Sequence, residues 1–284
     1  LGYIIFSPNA GNIQLSLGDV IKNNAPQPEP AQTPSAQPQI EATPTELPIE
    51  IPDTPPLPSQ PIEKVDPVNA ARHLFIAVNG QWLADSTRSY LQELKPGGII
   101  LRPSNVANEE QTRTLIEDIK AASGMGRKFS DLPLIAISQN AGQHNLLHVS
   151  SAVPAIEIGS NNDMVKARQL GRQYGNAAKK FGISVILGPM LDVYDPASAF
   201  PNLRNQSFGS DQTKVAALGL AMAQGLRASG IIAVAKTFPG YAAAGYGADG
   251  ISVVMNQDIN GLAKAIYPFS EAARSQIEGI IVGH

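Results

Sequence analysis

The chain has 284 residues, with 21 Lys and Arg against 24 Asp and Glu and a formal net charge of −3. This balance argues against nucleic acid as a partner, because phosphate binding favours a basic excess. The chain has no cysteine, which excludes disulfides and thiolate metal sites. His144 and His148 could offer two metal ligands beside "SQNAGQ", but we interpret them as surface histidines and expect no metal and no cofactor.

The first 67 residues are predicted to precede the folded domain. "LGYIIF" at the start is apolar but much shorter than the ~20 residues that span a bilayer. We interpret residues 1–24 as the remnant of a membrane anchor or as an N-terminal tail. Residues 25–67 hold 13 of the 23 prolines, which predicts a disordered, extended Pro-rich linker. This layout predicts an extracytoplasmic protein tethered through its N-terminus.

From Val68 to residue 284 the sequence becomes globular, with apolar runs alternating with helical patterns. Predicted strands lie at 73–78, 97–101, 132–138, 183–191, 231–238 and 279–284. Predicted helices include a segment from Ser86 and the ranges 108–123, 162–181, 211–229 and 259–276, the last interrupted near Pro268. Asn108 and Asp211 are predicted N-caps. The strands are continuous apolar runs, as in a parallel sheet covered on its outer face.

Six such units in series predict an α/β fold, a (β/α)₈ TIM-barrel-like domain at 68–284 that is truncated after about six strands. A doubly wound nucleotide-binding sheet is disfavoured, because no GxGxxG follows a strand. A barrel without its last two strands should expose open edges on the first and sixth strands, which is an aggregation liability.

Polar side chains follow the predicted strands, at the end where barrel enzymes place their working groups. The third strand delivers Ser138, the fourth Asp192, the fifth Lys236 and Thr237, and the sixth His284. Such a mouth favours hydroxyl-rich or amide ligands through hydrogen bonds.

The order of these strand ends resembles a known family. "GGIILRPSNV", "NEEQTRTLIEDIKAAS", "LPLIAIS", "FGISVILGPMLDV", "NQSFGSD", "GIIAVAKTFPG" and "GIIVGH" follow one another over residues 70–284. Together they resemble glycoside hydrolase family 3, and most closely its β-N-acetylhexosaminidase branch. The resemblance implies a (β/α)₈ barrel and retaining β-glycosidase chemistry.

The resemblance also assigns substrate-binding positions, several of them altered. Lys236 in "KTFPGYA" would hydrogen-bond sugar hydroxyls, and Asp192 is retained. Thr237 stands where the family has a sugar-binding histidine, and Ser138 in "SQNAG" where it has a gripping aspartate. Gln206 replaces a substrate-binding arginine, for which Arg204 is a candidate substitute. The predicted substrate-binding set is Lys236, Asp192, Arg204, Ser138, Thr237 and His284.

The catalytic positions depart further. The hexosaminidase branch supplies its acid/base from a D-x-H pair, whereas "AAAGYGADG" has no histidine and Asp249 is only a weak candidate. The family's nucleophilic aspartate lies beyond the strand that ends at His284. Retaining hydrolysis needs both groups. We therefore predict impaired catalysis with residual binding of an amino-sugar or β-glucoside glycan.

Two alternatives stay open. The protein could be an active β-N-acetylhexosaminidase or β-glucosidase whose nucleophile lies beyond this chain, or a structural or interaction domain on a stalk. Each retained residue also has a structural interpretation: Lys236 could pair with Asp192, and "FPG" could be a rigid turn. The sequence predicts no oligomeric state.

Overall fold

A computed structural model describes residues 3–6, 70–124, 128, 132–140, 145–241, 244–246, 253–254 and 257–283. The predicted linker at 25–67 lies outside the described residues. So do most of residues 1–24, His144, Asp249 and His284. The predictions for these positions remain predictions.

The helices and strands alternate along the chain from Phe75 onwards. The strands are β1 (Tyr3–Phe6), β2 (Phe75–Ala77), β3 (Gly98–Leu101), β4 (Leu134–Ile137), β5 (Val185–Met190), β6 (Ile232–Phe238), β7 (Gly245–Tyr246), β8 (Val253–Val254) and β9 (Gly279–Val282). The helices are α1 (Asp85–Leu94), α2 (Glu109–Gly124), α3 (Ala155–Ser160), α4 (Met164–Phe181), α5 (Gln212–Ala228) and α6 (Ile259–Arg274). Short 3₁₀ helices cover Pro103–Asn105 and Pro201–Gln206.

Six parallel strands form a curled half-barrel, in the order β2, β3, β4, β5, β6 and β9. Each strand pairs with the next one along this series, for example Ile99 of β3 with Ile135 of β4. Parallel neighbours require crossover connections, which the helices supply. The predicted α/β, barrel-like class is therefore confirmed.

The core has two parts, one on each face of the sheet. The larger cluster lies between sheet and helices, where Leu115 and Ile119 of α2 and Leu218 of α5 are fully buried. The smaller cluster lines the inner face with Ala136, Val185, Leu187 and Val234. β5 is buried along its whole length because it contacts apolar groups on both faces.

Two local predictions at helix starts are confirmed. The side chain of Asn108 accepts a hydrogen bond from the Gln111 N–H at 2.9 Å. Asp211 accepts from the N–H groups of Thr213 and Lys214, at 2.8 and 3.1 Å. Both side chains satisfy donors that the first helical turn leaves unpaired.

Two other predictions are wrong. α6 is continuous through Pro268, because Phe269 and Ala272 are buried and tertiary packing holds the helix together despite the missing N–H. The edge of the sixth parallel strand is not open, since β1 pairs with β9 in antiparallel register, Tyr3 opposite Val282 and Phe6 opposite Gly279. An edge strand presents unpaired backbone groups, and the N-terminal segment pairs with them. No helix among the described residues combines the length and apolarity needed to cross a lipid bilayer.

Candidate functional site

The candidate site lies at the carboxyl ends of the central parallel strands. Ser138 follows β4 directly, and Asp192 lies two residues after β5. Lys236 and Thr237 lie near the end of β6. Because β4, β5 and β6 are neighbours in the sheet, these four residues are brought together as the sequence predicts.

Lys236 contacts Ser138 across the strand between them. Its Nζ donates a hydrogen bond to Ser138 Oγ over 2.6 Å, and both residues are partly exposed. Burial of the ammonium group lowers the pKa of Lys236 to about 8, and the nearby Asp192 carboxylate opposes that shift. Lys236 is therefore mostly charged at neutral pH but close to titration.

Asp192 is fully buried and braces the backbone of the site. Its Oδ2 accepts a hydrogen bond from the Thr237 N–H at 2.9 Å, which ties β5 to the end of β6. The Asp192 carbonyl accepts from Ser207 Oγ at 2.6 Å, and the Gly209 N–H donates to the same hydroxyl. Asp192 therefore bonds the backbone of Thr237, and its charge also favours the charged form of Lys236.

A buried amide organises the loop after β4. Gln139 is fully buried, its Oε1 accepts from the Leu147 N–H at 2.9 Å, and its Nε2 donates to Asn145 Oδ1 at 2.8 Å. Gln139 also forms a hydrogen bond with Tyr174. Burial raises the pKa of the Tyr174 hydroxyl to about 12, and the bond with Gln139 partly opposes that rise. The Tyr174 hydroxyl is therefore a neutral structural group.

The long loop after β5 reaches the site through Gln206. Gln206 Oε1 accepts a hydrogen bond from Asn140 Nδ2 at 3.0 Å, at the edge of a recess that Met190 and Phe208 also line. Arg204, the predicted substitute for the family's arginine, is exposed on the 3₁₀ helix at Pro201–Gln206. The polar contact at this edge is thus made by a neutral amide.

No role was predicted from the sequence for Gln139 or Tyr174. A helical repeat was the available signal for Tyr174, since Leu170 and Ala178 lie four residues to either side and all three are buried. His148 is exposed, and within the described ranges no three His, Asp or Glu side chains cluster as metal ligands. The site presents an ammonium group and two hydroxyls, which suits hydrogen bonding to a polyol.

Comparison with known proteins identifies the same family that the sequence motifs resemble. The family described as the N-terminal domain of glycosyl hydrolase family 3 matches residues 69–284. A β-hexosaminidase of Methylococcus capsulatus is 26% identical over 214 residues, covering 72% of this chain and 60% of that protein. An uncharacterised secreted glycosyl hydrolase of Arthroderma benhamiae is 28% identical over 179 residues, covering 62% and 50%.

A solved structure shares the fold. NagZ from Neisseria gonorrhoeae, in complex with N-trifluoroacetyl-D-glucosamine, superposes with a TM-score of 0.63 at 23% identity, covering 74% of this chain and 63% of that one. The chain thus spans about 60% of the length of the first relatives it matches. With the strand order and the family match in agreement, the chain belongs to glycosyl hydrolase family 3, of which it carries the N-terminal barrel-like domain.

Proposed function

We propose that this domain binds an amino-sugar glycan at the strand-end mouth without cleaving it. The observation that carries the proposal is the Lys236–Ser138 hydrogen bond. Ser138 stands where the family resemblance places a sugar-gripping aspartate, so Lys236 meets a neutral hydroxyl there instead of a carboxylate. The mouth keeps hydrogen-bonding capacity while losing a charged group.

Residues inside the domain disfavour cleavage. Retaining hydrolysis requires a nucleophile and an acid/base on either side of the glycosidic bond, ~5–5.5 Å apart when both are carboxyl groups. Ser138 and Thr237 do not ionise at neutral pH, and Asp192 is buried with its Oδ2 on the Thr237 backbone. Residues 242–250 contain only Asp249 as an ionisable carboxyl group. Of Ser138, Asp192, Lys236 and Thr237, only Asp192 carries a carboxyl group, and one of its oxygens is already bonded to backbone, so the pair of groups that retaining hydrolysis needs is not assembled there.

The same strand-end residues favour binding of a ligand. Lys236 is mostly charged at pH 7, since its pKa is about 8, and a charged donor makes stronger hydrogen bonds to hydroxyls than a neutral one. Asp192 and Gln139 hold the strand ends rigidly, which reduces the entropic cost of binding. The names of the relatives, together with the glucosamine derivative bound to the structural neighbour, favour an amino sugar over a β-glucoside.

We further propose an extracytoplasmic location, with the Pro-rich segment at 25–67 as a spacer to an N-terminal tether. The composition of the segment and the secreted relative support this placement. The proposed ligand would then be a glycan of the cell envelope.

Binding is tested by an NMR titration of the protein with N,N′-diacetylchitobiose and, in parallel, cellobiose. We expect saturable shifts with the amino sugar, which Lys236→Met should abolish. Lys180→Met is the matched control, because Lys180 is exposed in the last turn of α4, which leads into the start of β5 at the end of the strands opposite the mouth. Equal shifts in both variants would contradict the proposed site, and no shift in the wild-type protein would favour an interaction domain.

An active hydrolase is the second candidate, favoured by the names of the β-hexosaminidase relatives. It predicts that the full-length protein releases nitrophenol from nitrophenyl N-acetyl-β-glucosaminide, and that Asp249→Asn removes this activity. Our proposal predicts no catalytic release with either protein.

A further inference from the structure

Trp82 is the single tryptophan of the chain, and its side chain is unusually exposed. It lies in the loop between β2 and α1, and 62% of its surface is accessible. This loop follows the carboxyl end of β2, so it borders the same mouth as Ser138 and Lys236. An aromatic side chain of this size exposed at the rim of a polar mouth indicates a contact surface.

Two buried side-chain amides hold the backbone segment that precedes Trp82 in sequence. Asn105 is fully buried, and its Nδ2 donates to the Gly80 carbonyl at 2.7 Å and to the Val78 carbonyl at 3.2 Å. Gln111, 6% exposed, donates from Nε2 to the Gln81 carbonyl at 2.6 Å. The loop is therefore fixed up to the residue that precedes the indole.

The amides are themselves held in place. Asn105 Oδ1 accepts from the Arg102 N–H at 2.7 Å, and Gln111 Oε1 accepts from the Ala107 N–H at 2.9 Å. After Trp82 the chain is anchored again, because Leu83 is buried in the core. Fixing the backbone on both sides leaves the indole facing outward on a rigid support, and such preorganisation lowers the cost of binding.

We propose that Trp82 is a stacking platform for a pyranose ring, which makes it a second sugar position at the rim of the mouth. One face of a pyranose presents C–H groups that complement the electron-rich face of an indole. The indole N–H at the edge can donate to a ring hydroxyl. This assignment deepens the proposed glycan binding and rests on it.

The spacing of the strands implies that a ligand must contain at least two sugar rings to contact both positions. β2 and β4 are separated by β3, so their ends lie roughly 10 Å apart at the usual strand spacing. We therefore expect a single ring held by Ser138 and Lys236 to fall short of Trp82 and a disaccharide to be long enough to contact both positions. Trp82 therefore distinguishes oligosaccharides from monosaccharides.

Fluorescence tests the inference directly, because the chain has one tryptophan. We expect N,N′-diacetylchitobiose to change the emission of Trp82, and N-acetylglucosamine alone to leave it unchanged. In calorimetry, Trp82→Ala should weaken disaccharide binding by roughly threefold to tenfold and leave monosaccharide binding unaltered. Trp82→Phe should retain most of the affinity.

Tyr90→Ala is the matched control, since Tyr90 is also an exposed aromatic, 53% accessible, but lies on α1. It should bind the disaccharide like the wild-type protein. If the wild-type protein binds the disaccharide and Trp82→Ala binds it equally well, the stacking inference is wrong and the proposed function stands. If the wild-type protein binds neither sugar, both are wrong.

Discussion

The chemistry of the site depends on how one lysine is accommodated at the mouth. Lys236 loses hydration, which destabilises its charged form, and Asp192 returns only part of that loss. Its hydrogen bond goes to Ser138, a neutral acceptor. The residue therefore keeps a charge available for ligand hydroxyls at a cost to the folded state.

That cost predicts a pH dependence of stability. The pKa of Lys236 is about 8 in the folded protein, against 10.5 for an ordinary lysine, so between these values the unfolded chain binds more protons. The free energy of unfolding should therefore gain a contribution on the order of 1–3 kcal/mol as pH rises from 8 to 10.5. Urea titrations of the wild-type protein and Lys236→Met measure it as a difference. Parallel pH profiles for the two proteins would contradict the lowered pKa.

Ser207 predicts a purely structural loss. Its buried hydroxyl donates to the Asp192 carbonyl and accepts from the Gly209 N–H. Ser207→Ala should lower the free energy of unfolding by about 1–2 kcal/mol, because the buried backbone groups lose their partner. Ser210→Ala, at an exposed position three residues later, should change stability little. Denaturant unfolding of both variants provides the comparison, and equal effects would show that the hydroxyl does not brace this turn.

Among the elements, the close crossing of α4 and α5 sets the geometry of the site. A Cβ on Gly171 of α4 would lie 2.1 Å from the Met222 carbonyl oxygen, and one on Gly225 of α5 would lie 2.1 Å from that of Arg168. The two backbones touch because neither glycine carries a side chain. α4 leads into β5 and α5 into β6, so this contact fixes the strands that present Asp192 and Lys236.

Gly171→Ala should therefore destabilise the protein although alanine favours helix. Overpacking a tight contact costs about 1–3 kcal/mol. Because the new methyl group would meet backbone atoms, we expect a penalty towards the upper end of that range, which exceeds the ~1 kcal/mol that the higher helix propensity of alanine contributes. Asn176→Ala, at an exposed position on the same helix, should be neutral or slightly stabilising. Thermal unfolding of both variants distinguishes packing from propensity. A stabilised Gly171→Ala variant would mean that the helices separate at little cost.

The elements also show what the sequence could predict. The six parallel strands and the caps at Asn108 and Asp211 depend on local patterns, and they were predicted correctly. Continuity through Pro268 depends on burial of Phe269 and Ala272 against other elements, which no local pattern contains. The pairing of β1 with β9 joins residues more than 270 positions apart and is likewise a tertiary effect.

At the scale of the whole molecule, the barrel-like order of strands explains why the convergence of these strand-end residues could be predicted. Parallel strands send their carboxyl ends to one side, so Ser138, Asp192 and Lys236 were predicted to converge. Their pairing could not be predicted, since the choice of Ser138 as the acceptor for Lys236 depends on side-chain geometry. The roles of Gln139 and Trp82 also escaped prediction, because they depend on contacts between loops.

The central claim, binding without cleavage, is tested most directly on one sample. The full-length protein is titrated with N,N′-diacetylchitobiose in a calorimeter, incubated overnight and then analysed for sugars by mass spectrometry. If the protein binds without cleaving, we expect a saturable heat of binding and an intact disaccharide. Accumulation of N-acetylglucosamine beyond the molar amount of protein would contradict it.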